Sequence, residues 1–161
     1  MRAMDLIIPE IGINAPIVFG IDNETLKRGV GVDPLSSIPG QRGNSVIAGH
    51  RNVWGAWFWD LPRLKPGSPV YVKTPDATYT FRVAFTRVAQ PTDTSLLEHP
   101  SDPKITRLTL YTCTKPKTEC RFVVVANLVK KDTAPVAIPS GTLAATKTNS
   151  ATTTVAQSAQ R

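Results

Sequence analysis

The sequence predicts a mainly β fold closed into a barrel with two short helices, on three observations. Polar and apolar residues alternate in the clearest segment, where Tyr79, Phe81, Val83 and Phe85 interleave with Thr80, Arg82, Ala84 and Thr86, as a half-buried strand requires. Six further short apolar runs are separated by turn residues, among them Pro39-Gly40, Pro66-Gly67 and Thr74-Pro75-Asp76. Helix start and stop signals bracket only two short segments. Seven or eight short strands punctuated in this way favour a closed barrel over an open sheet, because closure removes exposed strand edges.

Taken from the N-terminus, strands are expected over Asp5 to Pro9 and Pro16 to Phe19. A first helix begins at an Asp22 or Asn23 cap, runs through Glu24 to Arg28 and stops at Gly29. The next strand is Asn44 to His50, followed by a second helix over Gly55 to Leu61, before Pro62. Strands then follow at Pro69 to Thr74, 79 to 86, Ile105 to Cys113 and Arg121 to Lys130. Beyond that point Thr, Ala and Ser fill 17 of the last 31 positions and no period appears, so 131–161 reads as a disordered tail. Residues 1–130 form the domain.

A chain of 161 residues suits one domain, and a domain of this size buries roughly two thirds of its unfolded surface. The net charge is +7, from 19 Lys and Arg against 12 Asp and Glu, which would suit an anionic envelope or nucleic acid. The basic residues are scattered, however, with no run longer than Lys130-Lys131, so nucleic acid is not an expected partner. Two cysteines and two histidines without a C-x-x-C spacing do not suggest a structural zinc site, and no metal is expected. The longest apolar run, Phe122 to Ala126, is far short of the ~20 residues of a membrane span, and residues 1–20 lack a signal-peptide core. The chain itself reads as soluble.

The residues that point to chemistry sit at strand ends. Thr109-Leu110-Tyr111-Thr112-Cys113 closes a strand before a polar loop, Thr114 to Glu119, where a thiol is exposed enough to react. Alternation puts Thr109, Tyr111 and Cys113 on one face, and Arg121, Val123 and Val125 together on the returning strand. With Lys115-Pro116-Lys117 at the hairpin tip, Arg121 begins near where Cys113 ends. A guanidinium there would favour a thiolate or hydrogen-bond a developing oxyanion. The third residue, His50, ends the apolar run Val46-Ile47-Ala48-Gly49. Histidine is the usual proton carrier near neutral pH, and thiol chemistry on a carbonyl needs one within reach.

These segments, in this order, resemble the sortases, cell-wall transpeptidases of Gram-positive bacteria. The family's T-L-x-T-C stands as Thr109 to Cys113, its A-G-H-R strand end as Ala48 to Arg51, and the Arg of the next strand as Arg121. Ile8-Pro9, Ile11-Gly12-Ile13, Gly29-Val30-Gly31 and Pro39-Gly40 through Gly43-Asn44 also match in family order. The likeness spans about residues 5 to 130 and favours a housekeeping-like or sporulation-type branch. It implies an eight-stranded closed barrel, with no cofactor. Cys113 would be the nucleophile, His50 the general acid and base, and Arg121 the group that positions substrate or oxyanion. Thr112, Ala48, Pro91, Leu96 and Leu97 would contact substrate, the last three from a lid over Gln90 to Lys104. The implied partners are an LPXTG-like sorting-signal peptide and an amine acceptor, either a peptidoglycan precursor or a pilin lysine. The implied place is the outer face of the cell membrane or the wall, with membrane contact only through an anchor absent from this chain.

Plainer readings stand beside these. A lone Cys is often a small core residue. His99 reads as a surface or lid residue, and Cys120 either packs or pairs with Cys113 in a disulfide. Trp54, Trp57, Phe58 and Trp59 read as anchors of the loop after His50, with at most one edging the site. Glu10, Glu24, Glu98 and Asp102 lack the spacing of a calcium loop. The rival functions are another Cys/His peptidase, whose C-G-[SA]-C-[WY] stretch is missing, and a non-catalytic barrel module of an adhesin or pilus.

Overall fold

A computed structural model describes residues 3–113, 120–134 and 137–139. Eight strands form one closed barrel: β1 (Asp5–Ile8), β2 (Ile13–Phe19), β3 (Val30–Val32), β4 (Gly43–Ala48), β5 (Pro69–Lys73), β6 (Thr78–Ala89), β7 (Thr106–Cys113) and β8 (Arg121–Asp132). Their order around the barrel is β1-β2-β3-β4-β7-β8-β6-β5, with β5 returning to β1. Most neighbours are antiparallel, but β2 with β3 and β4 with β7 are parallel. The second parallel pair sends the ends of β4 and β7 to the same mouth of the barrel.

The alternating segment forms β6, which extends over 12 residues and pairs with both β5 and β8. Irregularities between Thr80 and Phe81 and between Val83 and Phe85 shift its register against β8, bending the strand around the barrel. Leu6, Ile47, Phe81, Leu108, Leu110 and Val124 point into one continuous apolar core. Strands β4, β7 and β8 are buried on their outer face as well, which explains the unbroken runs Val46-Ile47-Ala48 and Val123-Val124-Val125-Ala126. The outer cover is the connection from β6 to β7, including a 3-10 helix at Thr94–Leu97. Leu96 packs there with Ala89, Val123, Val125 and Tyr111.

The first expected helix is present as α1 (Asn23–Arg28), capped by the Asp22 carboxylate accepting from the Thr25 amide at 3.0 Å. The second is not. The loop 51–60 makes turns, with Trp54 and Ala56 at positive φ on either side of Gly55, and only Leu61–Arg63 winds into a 3-10 helix around Pro62. The eighth strand is β3, which no periodicity announced. Glycine at 31 is required there by close approach, since a Cβ would lie 2.0 Å from the Gly20 carbonyl oxygen. Strand β8 continues through Lys131 and Asp132, past the boundary drawn from composition. Most of the Thr/Ala/Ser-rich tail and the hairpin tip at Lys115-Pro116-Lys117 lie outside the described residues. Among those described, no helix is long and apolar enough to cross a membrane.

Candidate active site

Strand β4 ends at Ala48 and leads directly into Gly49-His50, and this segment is tied to β7 through its backbone. The Gly49 amide donates to the Tyr111 carbonyl at 3.2 Å, and the Thr112 hydroxyl donates to the Gly49 carbonyl at 2.7 Å. These bonds continue the parallel ladder, whose last registered pair is Ala48 with Tyr111, toward His50 and Cys113. A side chain at 49 would collide with Phe58, whose fully buried ring lies 2.5 Å from where a Cβ would stand. The Phe58 amide in turn donates to the His50 carbonyl at 3.0 Å. Glycine before the histidine therefore lets a core phenylalanine wedge the strand end in place.

On the other side of β7, Cys113 is registered opposite Arg121 at the start of β8, and Arg121 is also opposite Ala89 of β6. The Arg121 guanidinium lies over the Tyr111 ring, 4.9 Å from its centroid, within cation–π range. Three strand ends meet at one mouth.

Burial lowers the His50 pKa from its ordinary value, which favours the neutral imidazole. Its Nε2 is shielded from solvent and has no hydrogen-bond partner among the described residues. Trp54 meets the ring edge to face, with centroids 5.1 Å apart. Of the aromatic residues after His50, then, Trp54 edges the site, whereas Phe58 is in the core and Trp57 packs against it.

Beside Arg121 a small cavity of about 90 Å³ is lined by Pro91, Leu96 and Leu97 from the β6–β7 connection and by Val46, Tyr111 and Asp33 from below. Asp93 and Thr94 complete its lining, so the slot combines apolar walls with the Arg121 guanidinium and two carboxylates, those of Asp33 and Asp93. The structure thus brings Pro91, Leu96, Leu97 and Arg121 together. Thr112 and Ala48 are not in that lining: both are buried, and the Thr112 hydroxyl is bonded to Gly49. Their observed part is to join β4 to β7.

Sequence reading missed the residues that hold the cover down. The buried Asn44 amide donates to the carbonyls of Leu96, at 2.7 Å, and Glu98, at 3.0 Å, while its oxygen accepts from the Thr109 hydroxyl at 2.8 Å. Its backbone amide donates to His99 Nδ1 at 3.1 Å, so His99 is an anchor of the connection. A polar residue opening an apolar strand was the available signal. At the other end, Asp93 caps the 3-10 helix and pairs with Arg87 at 2.6 Å. The Ser95 hydroxyl first, and then Arg87, hold the Asp93 pKa down at about 2. Cys120 Sγ is 4.0 Å from Gln90 Oε1; the disulfide raised for it involves the Cys113 side chain, outside what is described. Among the described residues no three His, Cys, Asp or Glu side chains gather as a metal site would require.

Comparison with known proteins agrees with this architecture. A family model described as a sortase domain matches residues 6–129. Sortase A of Streptococcus agalactiae is 31% identical over 129 residues, covering 76% of this chain and 51% of its own. Among solved structures, sortase E from Streptomyces avermitilis superposes with a TM-score of 0.71 at 28% identity, over 81% of this chain and 90% of that one. Sortase A from Corynebacterium diphtheriae gives 0.74 at 32%, over 81% and 61%. The chain spans about half the length of the curated relatives it matches.

Proposed function

Because the chain belongs to the sortase family, we propose that it is a cysteine transpeptidase that cuts an LPXTG-like sorting signal and passes the acyl group to an amine. The observation that carries this reading is the convergence of three strand ends: the parallel β4–β7 pair carries His50 and Cys113 to one mouth, and Arg121 is registered opposite Cys113.

In the proposed reaction neutral His50 takes the Cys113 proton, and the thiolate adds to the threonine carbonyl of the sorting signal. The carbonyl π electrons move onto oxygen, where the Arg121 guanidinium stabilises the negative charge. Collapse of this intermediate breaks the C–N bond, and the imidazolium returns the proton to the leaving amine, leaving a thioacyl enzyme. The acceptor amine, on a peptidoglycan precursor or a pilin lysine, then attacks the thioester and regenerates the thiol. Leu and Pro of the signal would occupy the slot formed by Pro91, Leu96 and Leu97. By this reading the protein acts at the outer face of a Gram-positive cell membrane, on secreted substrates.

The test is cleavage of a fluorogenic LPXTG peptide with an amine present. Replacing His50 with Ala is expected to lower kcat/KM by about 10²–10⁴, and Arg121→Ala by about 10²–10³, both at unchanged melting temperature. Arg121→Lys is expected to fail too, since an ammonium lacks the planar fork of the guanidinium. Rates unchanged in folded variants would remove both assignments.

A further inference from the structure

The β4–β5 connection holds the imidazole from a second side. Trp54 lies against His50 with ring planes at 62°, the edge-to-face arrangement that aromatic rings favour. Core packing does not account for its position, since the residue is 49% exposed. Its backbone is nevertheless in an uncommon conformation: Trp54, Gly55 and Ala56 have φ of 41°, 88° and 44°, a left-handed run that side chains other than glycine's resist. Bonds from the Ala56 amide to Val53, the Phe58 amide to His50 and the Trp59 amide to Ala56, each 3.0 Å, hold the loop in that shape.

The indole also has a partner from a distant element. Lys27 of α1 puts its Nζ 4.6 Å from the centroid of the Trp54 ring, and its ammonium is bonded to Glu24 at 2.6 Å. A continuous file of side chains therefore runs from α1 to the imidazole: Glu24, Lys27, Trp54, His50.

We propose that Trp54 is a positioning residue for His50 and that Lys27 seats it. The indole closes one side of the imidazole to water and limits its rotation, so that the ring meets thiol and amine in a single orientation. This inference rests on the reading of His50 as the proton carrier. The charged and titratable groups on the surrounding elements are Asp22, Glu24, Lys27 and Arg28 of α1 and its cap, Arg51 and Asp60 in the same loop, and Cys113 and Arg121 at the ends of β7 and β8. An indole carries no charge, so removing it changes solvation and orientation at His50 without a direct Coulomb effect.

The experiment compares Trp54→Ala, Trp54→Phe and Lys27→Met in two readouts: kcat and KM for peptide cleavage, and titration of the His50 imidazole followed by NMR in the resting protein. Trp54→Ala is expected to lower kcat about tenfold with little change in KM, and to move the imidazole midpoint up toward its ordinary value. Trp54→Phe recovers most of kcat because a ring still meets the imidazole. Lys27→Met gives a smaller loss, of about two- to threefold, in the same direction. An unchanged kcat and imidazole midpoint in Trp54→Ala overturns the proposal, as does a loss confined to KM, which would make Trp54 a substrate contact. If the unaltered protein cleaves no sorting peptide, the function reading fails, while the NMR titration still decides whether Trp54 governs His50.

Discussion

Strands β4, β7 and β8 are buried on both faces, but the two burials differ in kind. Toward the barrel axis, Ile47, Leu110 and Val124 join a core that contains Phe58 and is held by apolar area alone. On the outer face, a small patch of Ala89, Leu96, Val123 and Val125 is covered by the β6–β7 connection. That cover depends on a few polar ties, through Asn44, His99 and the Arg87–Asp93 pair. The first arrangement is rigid and positions the ends of β4 and β7. The second rests on a small apolar patch and a few polar ties, so its opening is expected to cost less than opening the barrel.

Predictions follow from that contrast in order of size. Phe58→Ala strikes the inner face at the residue wedged against Gly49, and is expected to cost about 3–5 kcal/mol in chemical denaturation. Loss of turnover should accompany it, because the strand end carrying His50 loses its support.

Asn44→Ala strikes the outer cover. The carbonyls of Leu96 and Glu98 and the Thr109 hydroxyl lose their partner, at a cost of about 1–3 kcal/mol. Hydrogen exchange is expected to accelerate in residues 94–99 while the amides of β7 keep their protection. If β7 amides speed up equally, inner and outer faces are one cooperative unit and the contrast is lost.

The smallest effect concerns pH. The Asp93 pKa is depressed to about 2, below the ordinary carboxylate value of about 3.9. Its contribution is therefore complete above about pH 4 and is lost as pH falls toward 2, because the unfolded chain binds the proton more readily. Protection in the 3-10 helix, taken relative to the intrinsic exchange rate at each pH, should fall across that window and also with salt, since the pair is solvent-accessible. In Asp93→Asn the pH dependence of that protection should vanish. A cover whose protection ignores both pH and salt would mean that Asp93 does not hold it.

Most strands were legible because alternation and turn residues are local signals. The exceptions have local causes too. Strand β3 is three residues long, preceded by Gly29 and centred on Gly31, glycines that serve close backbone approach rather than patterning. The expected helix at 55–61 was displaced by the left-handed turn at Trp54–Ala56, beside which Phe58 packs into the barrel core and Trp54 meets Lys27 of α1, contacts distant in sequence. At the site, the strand ends of His50, Cys113 and Arg121 were readable, since each ends or begins an apolar run. Thr112 alternates with Cys113, so the same pattern that set Cys113 on one face set Thr112 on the other with Leu110, where its hydroxyl is bonded to the Gly49 carbonyl. Asn44 and His99 could not be paired from sequence, because they are 55 residues apart and meet only once the connection folds over the sheet.

The central claim is that the mouth formed by these strand ends makes a thioacyl enzyme on Cys113. Intact-mass spectrometry after brief incubation with an LPXTG peptide, without added amine, addresses it directly. The account predicts one adduct with the mass of the acyl fragment, mapped to Cys113, discharged by hydroxylamine and absent in Cys113→Ser. A folded protein that cleaves the peptide with no adduct on Cys113, or acylates Cys120 instead, would contradict it.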